Sequence, residues 1–316
     1  MQFEGNRYLL SGVAGFLGTN MALRLLKGGG EVVGVDNMYC GSQRNLQELS
    51  SCDNFSFHHF DIREPLDCLP GTFTHVLNYA CPASPPRYYG DPELTMETCS
   101  LGVSNMLKRA LQDRARFLQT STSEVYGNPL EHPQTESYPG NVVPYTGRSC
   151  YDEGKRYAEA LVYIYRHRHK VDSLLIRIFN TYGPWMDPFD GRVITNFIRQ
   201  ALTGAPIEIQ DFGQQTRSFC YVDDQIEAQV RAIHCSLEGP INIGNPEEFT
   251  IAELAETVKR LTGSNSEIVN VSPAPSDPTR RRPDITLAQK HLDWSPTVPL
   301  EEGLLRTISW FQTIGY

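Results

Sequence analysis

Short apolar runs alternate with helical patterns over the first 180 residues, and this alternation constrains the fold more than any other feature. Brief runs rich in Val, Leu, Ile and Phe are typical of buried strands, and the longer mixed stretches between them are typical of helices. The rhythm predicts an α/β fold with a doubly wound parallel sheet. The predicted strands are 7–10, 31–36, 55–60, 75–80, 115–120 and 173–179, and the predicted helices are 16–27, 93–113 and 148–169.

The loop between the first predicted strand and the first predicted helix carries a regular glycine pattern. In "LLSGVAGFLGTN", Gly12, Gly15 and Gly18 recur at intervals of three. Such glycines let the backbone approach a pyrophosphate, which then binds at the helix N-terminus. The alternative is a tight turn that only packs strand on helix. The strand-loop-helix context favours dinucleotide binding, and hence a sheet of the Rossmann type.

Acidic residues at the ends of the next strands indicate which dinucleotide is bound. Asp36 ends the second predicted strand, near the separation from the glycine loop expected for a ribose-binding acid. A carboxylate there accepts hydrogen bonds from a 2′-hydroxyl and repels a 2′-phosphate, so we predict NAD rather than NADP. Asp61 ends the third predicted strand, where it either holds the adenine edge or is a turn residue.

Two further segments predict a proton-transfer site. "TSTSEVYG" ends a strand, and Thr122 and Glu124 share one face at the sheet edge that borders a ligand crevice, unless the hydroxyl only caps a turn. "CYDEGKRYAEA" places Tyr151 and Lys155 one helical turn apart. A phenol titrates near about pH 10, and a nearby ammonium favours the phenolate. We predict that Tyr151 removes a proton from a sugar hydroxyl, that Thr122 shares it, and that Lys155 also holds the nicotinamide ribose.

The sequence changes in texture after about residue 181, which predicts a second lobe. Gly, Pro and Asp cluster at 183–192, and 273–285 is predicted to be a Pro-rich loop. We predict an NAD-binding domain of 1–180 plus about 218–245, and a smaller C-terminal substrate-binding lobe of about 181–217 plus 246–316. The residues predicted to bind NAD are Gly12, Gly15, Phe16, Leu17, Gly18, Asp36, Asn37, Asp61, Ile62, Tyr79, Tyr151 and Lys155.

Composition and charge exclude several classes of protein. The net charge of −9 and the pI near 5.4 argue against a broad nucleic-acid surface. No apolar run is long enough to span a bilayer, and the first residues do not have the pattern of a signal peptide. We therefore expect a cytoplasmic protein without nucleic-acid or membrane partners. The eight cysteines form no C-x-x-C pair, which predicts thiols rather than disulfides or a metal site.

Several strings together resemble the UDP-glucuronate decarboxylase (UDP-xylose synthase) family, within the extended short-chain dehydrogenases/reductases that act on nucleotide sugars. The resemblance covers essentially the whole chain. Beyond the glycine loop and Tyr151-x-x-x-Lys155, it is carried by "CPASPP" (81–86), "STSEVYG" (121–127), "CYDEGKR" (150–156), "RIFNTYGP" (177–184), "TRSFCYV" (216–222) and "RRRPDI" (280–285).

The resemblance implies a UDP-sugar substrate and places residues around it. Arg281 is implied at the reacting sugar, and Asn180 and Arg217 at the nucleotide diphosphate. It also implies a homodimer that pairs helices 93–113 and 148–169 in a four-helix bundle. The full implied substrate-binding set is Ser84, Asn105, Asn180, Arg192, Asn196, Arg217 and Arg281.

The same resemblance favours decarboxylation over dehydration. Related dehydratases carry an Asp-Glu pair where this chain has Ser123-Glu124, and loss of water needs an acid that loss of carbon dioxide does not. Oxidation of the C4 hydroxyl makes a ketone β to the C6 carboxylate, which then leaves as carbon dioxide. Glu124 and Arg281 are both candidates for handling the carboxylate and the C5 proton. Return of hydride would give UDP-xylose, and early release would give UDP-4-keto-pentose.

The chain departs from the family pattern at a few positions. The family usually has Lys-Thr-Asn where this chain has Glu97-Thr98-Cys99, "NPIGPR" where it has "VPYTGR" (143–148), and Arg at Trp185. We expect these positions near the sugar and the nicotinamide, where they would weaken retention of the 4-keto intermediate. The alternatives are another nucleotide-sugar 4-epimerase or 4,6-dehydratase, a decarboxylase that stops at the 4-keto sugar, and, more remotely, a nonenzymatic NAD-sensing scaffold.

Overall fold

A seven-stranded sheet is the central element of the computed structural model, which describes residues 3–237, 239–272 and 280–316. Residues 273–279 of the predicted Pro-rich loop lie outside the described residues. The strands in chain order are β1 Arg7–Ser11, β2 Glu31–Asp36, β3 Phe55–His59, β4 His75–Asn78, β5 Arg116–Thr122, β6 Ser173–Ile178, β7 Thr181–Tyr182, β8 Ile207–Gln210, β9 Thr216–Ser218, β10 Cys220–Tyr221, β11 Pro240–Ile243, β12 Glu248–Thr250, β13 Ile268–Val271 and β14 Arg280–Arg281.

Helices connect most of these strands. In chain order they are α1 Phe16–Lys27, α2 Gln43–Ser50, α3 Pro85–Gly90, α4 Pro92–Glu97, α5 Val103–Asp113, α6 Ser149–His169, α7 Val193–Thr203, α8 Val222–Ile233, α9 Ile251–Thr262, α10 Thr286–Leu292 and α11 Leu300–Thr313. Short 3₁₀ turns at Leu66–Cys68, Ser123–Tyr126 and Asp211–Gly213 and a π-helical turn at Thr98–Gly102 complete the set over the described residues.

The seven strands lie in the order β11-β6-β5-β4-β1-β2-β3. β1 pairs in parallel with both β2 and β4, and β2–β3 and β4–β5 are parallel as well. The strand order therefore reverses between β1 and β4, and a doubly wound sheet binds its ligand outside the carboxyl ends of the strands at such a point. The predicted α/β Rossmann sheet is confirmed.

Buried side chains on both faces explain why the predicted strands form the sheet. β1, β2, β4 and β5 are almost entirely buried, which fits apolar runs without polar alternation. At their carboxyl ends a polar ladder replaces the apolar core. Ser11 Oγ donates to Asn78 Oδ1 at 2.7 Å, and Asn78 Nδ2 donates to Gln119 Oε1 at 2.9 Å. These side chains link the carboxyl ends of β1 and β4 to the middle of β5.

The predicted helix 93–113 is interrupted in the structure. It begins at Pro92, where Asp91 caps the first turn by accepting from Leu94 N at 3.0 Å. The π-helical turn Thr98–Gly102 then separates α4 from α5. At Gly102 an added Cβ would lie 2.7 Å from Ile62 Cδ1, so the turn packs closely on the loop after β3. π-helical turns often occur at functional sites.

The chain divides into two compact units. The first comprises the described residues up to Val125, with Val143–Arg177 and Gln229–Ile241. The second comprises Tyr126–Val142, Ile178–Ala228 and the described residues from Asn242 onward. In the second unit, β10 pairs with β7, β13 with β8, and β9 lies between β12 and β14. The assignment of NAD to one lobe and the sugar nucleotide to the other stays a prediction.

No helix in residues 3–237, 239–272 or 280–316 combines the length and apolarity that a membrane span requires.

Candidate active site

The glycine loop packs strand, loop and helix closely together. Gly12 has φ +68°, and a Cβ there would lie 2.8 Å from Ala80 N. A Cβ at Gly18 would lie 2.0 Å from Gly12 O, so a side chain at either position would collide with backbone. Phe16 and Leu17 form the first turn of α1, which begins directly after Gly15. The loop therefore has the backbone approach and the helix N-terminus that a pyrophosphate site requires.

A cleft borders this loop. It contains six of the residues predicted to bind NAD. The lining residues are Gly12, Val35, Asp36, Asn37, Tyr39, Cys40, Phe60, Asp61, Ile62, Tyr79, Ala80, Cys81, Pro82, Leu94 and Thr98. The mix of apolar walls with two carboxylates, Asp36 and Asp61, fits a nucleotide rather than a large macromolecular surface.

Asp36 is held by backbone donors at the end of β2. Its Oδ2 accepts from Ala14 N at 3.0 Å, and its Oδ1 accepts from Met38 N at 2.8 Å. Burial raises the pKa of this carboxyl, although the two backbone hydrogen bonds oppose the rise. The side chain thus joins the glycine loop to the turn after β2.

Asp61 belongs to a chain of polar contacts that the sequence did not reveal. Burial raises its pKa, but the hydrogen bonds from Arg63 and Asn37 outweigh this and hold the pKa below its usual value. Asn37 Nδ2 donates to Asp61 Oδ2 at 2.9 Å, and Arg63 Nη2 lies 2.9 Å from the same oxygen. Arg63 Nη1 also contacts Glu97 Oε2 at 2.5 Å. We call Asp36, Asn37 and Asp61 the acidic cluster.

Thr122, Tyr151 and Lys155, which we call the proton-transfer group, are all buried in the first unit. Lys155 Nζ donates to Thr120 O at 3.1 Å and lies 5.9 Å from the centre of the Tyr151 ring. Burial lowers the pKa of Lys155, but the Cys81 and Tyr151 groups nearby outweigh this and raise it. Lys155 is therefore a stable cation next to the phenol, as the Tyr-Lys spacing predicted.

Neighbouring side chains fix α6 and the Tyr151 ring. Ser121 Oγ on β5 donates to Glu159 Oε1 on α6 at 2.6 Å. The Tyr88 ring stacks on the Tyr151 ring with centroids 5.2 Å apart and planes 8° apart. Sequence reasoning missed Tyr88, because no spacing rule connects residues that far apart.

Glu124 is paired with an arginine that sequence reasoning also missed. Arg148 Nη2 donates to Glu124 Oε2 at 2.5 Å, and Arg148 Nε lies 3.6 Å from Asp152 Oδ2. Arg148 lies three residues before Tyr151. It ends "VPYTGR" (143–148), a stretch that departs from the family's "NPIGPR" but keeps its last residue, and that retained Arg was the available signal. Glu124 N also donates to Thr122 Oγ1 at 3.2 Å. The carboxylate thus accepts a charge-assisted hydrogen bond.

Two predicted substrate-binding arginines are neighbours in the second unit. Arg217 on β9 and Arg281 on β14 are paired in register, and their exposed fractions are 8% and 2%. Arg217 Nη1 donates to Thr216 O at 2.8 Å, and Arg281 Nη2 donates to Gly127 O at 2.9 Å. Two buried arginines at paired positions of neighbouring strands place two positive charges in this unit, which favours an anionic ligand.

The remaining predicted substrate-binding residues occupy separate places. In the second unit, Arg192 precedes α7 and lies 3.2 Å from Asp190 Oδ2, and Asn196 Nδ2 donates to Gly191 O at 3.1 Å. Asn180 accepts from Cys220 N through its backbone carbonyl at 2.9 Å. In the first unit, Ser84 is the N-cap of α3, and Asn105 Nδ2 donates to Ile62 O and Arg63 O. Their roles toward a substrate stay predictions.

The residues at which this chain departs from the family pattern have different surroundings in the structure. Glu97 pairs with Arg63 and Cys99 lies against Cys81. Tyr145 is 98% exposed. In the second unit, Trp185 has φ +72° and meets the Trp310 ring edge-on at 5.7 Å.

A glycine loop at the reversal of a parallel sheet, beside a buried tyrosine and lysine on one helix, defines the class as an extended short-chain dehydrogenase/reductase. Comparison with known proteins agrees with this class. The chain belongs to the GDP-mannose 4,6 dehydratase family, whose model matches residues 9–307.

Comparison with individual proteins is more specific than the family match. UDP-glucuronic acid decarboxylase 6 of Arabidopsis thaliana is 49% identical over 304 residues, which cover 96% of this chain and 88% of that protein. The Thermotoga maritima UDP-glucose 4-epimerase structure, which contains UDP-glucose, is 26% identical, with a TM-score of 0.90 and coverage of 98% of this chain and 99% of the other. The Bacillus cereus UDP-glucuronic acid 4-epimerase structure contains UDP-glucuronic acid and NAD. It is 25% identical, with a TM-score of 0.86 and coverage of 98% and 99%.

Proposed function

We propose that this protein is an NAD-dependent decarboxylase that converts UDP-glucuronate to UDP-xylose, UDP-4-keto-pentose or both. The observation that carries the proposal is the 49% identity to a UDP-glucuronic acid decarboxylase over 96% of the chain. The intact proton-transfer group supports it and argues against a nonenzymatic NAD-sensing scaffold, in which we would expect that group to be broken.

The cleft residues fit the cofactor. The side-chain-free loop at Gly12, Gly15 and Gly18 would hold the pyrophosphate, and Asp36 and Asp61 would hold the ribose and the adenine edge. When bound, NAD accepts a hydride from C4 of the sugar and supplies it again for the reducing half of the reaction. Asp36 would repel a 2′-phosphate, which favours NAD over NADP.

The proton-transfer group acts at the C4 hydroxyl. Tyr151 removes the hydroxyl proton, and the adjacent Lys155 cation stabilises the phenolate that does so. Thr122 donates a hydrogen bond to the same oxygen. The Tyr88 ring keeps the Tyr151 ring in one orientation, because the two rings stack nearly parallel.

The oxidised sugar carries a ketone β to its carboxylate, so it loses carbon dioxide when the resulting enolate is stabilised. Thr122 and Tyr151 donate hydrogen bonds to the enolate oxygen. Ser123 stands where related dehydratases carry the acidic residue next to Glu124, and loss of water needs an acid, which argues against a dehydratase. Arg281 and Glu124 both stay candidates for handling the carboxylate and the C5 proton.

Incubation with UDP-glucuronate and NAD, followed by carbon dioxide measurement and mass spectrometry of the sugar nucleotide, tests this function. We expect carbon dioxide together with UDP-xylose, UDP-4-keto-pentose or both. Interconversion of sugars at C4 without carbon dioxide would instead identify an epimerase, the activity named for both structural neighbours above. UDP-glucose and dTDP-glucose in parallel reactions would reveal dehydration.

We also propose a homodimer formed through α4, α5 and α6. Large apolar side chains are exposed on this region: Met96 by 46%, Leu101 by 54%, Tyr157 by 52% and Ile164 by 47%. An exposed apolar patch of this kind marks an interaction site. Light scattering at micromolar concentration should give the mass of two chains. Leu101→Glu should shift the mass to that of one chain, while Leu305→Glu, which changes a similarly exposed leucine on α11, should not.

A further inference from the structure

Two cysteine thiols are in contact with each other close to Lys155 of the proton-transfer group. Cys81 Sγ and Cys99 Sγ are 3.4 Å apart, a non-bonded contact. Cys81 follows β4, and Cys99 lies in the π-helical turn Thr98–Gly102, so the contact joins two separate elements. A disulfide bond is about 2.05 Å long, so a modest approach of these elements would close it.

Close packing against α6 holds this pair in place. Cys99 is 2% exposed, and a Cβ added at Gly154 would lie 3.1 Å from Cys99 Cβ and 3.3 Å from its sulfur. Gly154 stands between Tyr151 and Lys155 in the sequence. The glycine therefore lets α6 approach Cys99, and a shift of Cys99 is transmitted to the helix that carries the proposed base.

The two thiols differ in access and in charge. Cys81 lines the cleft and is partly exposed, so a small oxidant can reach it. Burial raises the pKa of Cys81, but its hydrogen bond with Cys99 and the Lys155 charge outweigh this and lower the pKa below its usual value. The hydrogen bond with Cys81, together with burial, raises the pKa of Cys99. Cys81 is thus the sulfur that an oxidant meets first, and the buried Cys99 is in contact with it.

Other uses of the pair have less support. No group of three or more His, Cys, Asp or Glu that could hold a metal ion occurs among the residues that the structure describes. The nearby Cys150 belongs to a buried cluster against which Cys81 packs, but its thiol donates to Gly147 O at 3.4 Å and to Tyr88 O at 3.6 Å.

We propose that Cys81 and Cys99 form a redox modification site, which a peroxide oxidises to a disulfide. The Cys81 thiolate attacks one peroxide oxygen, the O–O bond breaks, and the products are a sulfenic acid and hydroxide. The Cys99 sulfur then attacks the Cys81 sulfur. The S–S bond forms, and hydroxide leaves and takes up the Cys99 proton as water. The peroxide gains two electrons and the thiol pair loses two, and a dithiol reductant reverses the change.

The disulfide lowers turnover in this scheme. It draws the β4 loop toward the π-helical turn and removes the Cys81 thiolate from beside Lys155. A displacement near a reacting group of about 1 Å can cost up to about 10²-fold in rate. This loss of turnover rests on the proposed function, whereas formation of the disulfide does not.

Peptide mapping without reductant tests the site on the full chain. After hydrogen peroxide treatment we expect a Cys81–Cys99 crosslink, an intact mass lower by two hydrogens, and full reversal by dithiothreitol. The crosslink should be absent in Cys81→Ser and Cys99→Ser, and should persist in Cys68→Ser, which changes an exposed thiol. In parallel, carbon dioxide release from UDP-glucuronate should fall and recover with the crosslink.

Other results would overturn the proposal. A map of the unmodified chain that shows no crosslink, or one from Cys81 to Cys150, would remove the assigned pair even if the serine variants do not fold. A crosslink that forms and reverses without any change in carbon dioxide release would overturn the regulatory effect. A chain that forms the crosslink but releases no carbon dioxide in either state would instead count against the decarboxylase.

Discussion

The acidic cluster and the proton-transfer group are built by different means. Asp36 is fixed by backbone N–H groups of the glycine loop and of the turn after β2, and Asp61 by the side chains of Asn37 and Arg63. Tyr151 and Lys155 are fixed by residues far away in the sequence, through the Tyr88 ring and the Thr120 carbonyl. The first arrangement presents charge to a ligand, and the second orients a base. Changes in the acidic cluster should therefore alter cofactor affinity, and changes in the proton-transfer group should alter rate.

The largest expected effect is on rate. Tyr151→Phe should lower turnover of UDP-glucuronate by about 10²–10⁴-fold, because only the proton-accepting oxygen is removed. The dissociation constant for NAD should stay nearly unchanged. Steady-state kinetics and NAD titration measure the two quantities separately.

Tyr88→Phe is the matched control, since it removes a hydroxyl from the ring that stacks on Tyr151 and keeps the stack. It should turn over almost normally. Near-normal turnover in Tyr151→Phe would contradict the assignment of the base.

The next effect is on affinity. Asp36→Asn should weaken NAD binding by about 10- to 100-fold, because a hydrogen bond to a charged group contributes about 1.5–3 kcal/mol. Turnover at saturating NAD should change little, and the preference for NAD over NADP should become smaller. Glu97→Gln is the control. It removes the carboxylate charge from the contact with Arg63 and leaves Asp36 in place, so NAD binding should be retained. Equal affinity of the unmodified protein for NAD and NADP would refute the ribose assignment.

The third effect separates the two carboxylates of the acidic cluster by pH. Burial raises the pKa of Asp36, whereas the contacts with Arg63 and Asn37 lower that of Asp61. As pH falls from neutrality, Asp36 gains a proton first and loses acceptor capacity, so NAD binding should weaken several-fold while Asp61 is still charged. Calorimetric titrations over a pH series measure this. The pH dependence of NAD binding should become weaker in Asp36→Asn. An unchanged pH dependence in that variant would assign the titration to another group.

The sequence predicted features that follow from local rules. The bounds predicted for β2 and α1 match the structure, because an apolar run ends at Asp36 and the helix starts directly after a glycine. The glycine loop was also predictable, because the backbone contacts at Gly12 and Gly18 are so short that no side chain fits there.

Contacts between distant side chains were not predictable from the sequence. The π-helical turn breaks a helix whose apolar spacing continues through it. The pairs Arg63–Glu97, Arg148–Glu124 and Cys81–Cys99 depend on how separate elements pack, and no spacing rule reports that. The residues missed at the candidate site are accordingly those that position other side chains.

The smallest expected effect concerns the product and tests how tightly the proton-transfer group is held. Decarboxylation removes one charged group of the sugar, so retention of the 4-keto intermediate depends on the remaining contacts. Among the altered positions, Cys99 lies beside the proton-transfer group, while Glu97 pairs with Arg63 and Tyr145 is 98% exposed. We expect the unmodified protein to release some UDP-4-keto-pentose beside UDP-xylose.

Cys99→Asn restores the residue usual in the family and adds an amide that can form hydrogen bonds to the loop that contains Cys81. One contact worth about 1.4 kcal/mol changes retention tenfold, so the 4-keto fraction should fall by up to that factor, with total carbon dioxide nearly unchanged. Mass spectrometry of both products, in reducing buffer so that no disulfide forms, measures the ratio, and Cys68→Asn serves as the control. UDP-xylose alone from the unmodified protein would refute the leakage, and an unchanged ratio in Cys99→Asn would show that the Cys99 contact does not control retention.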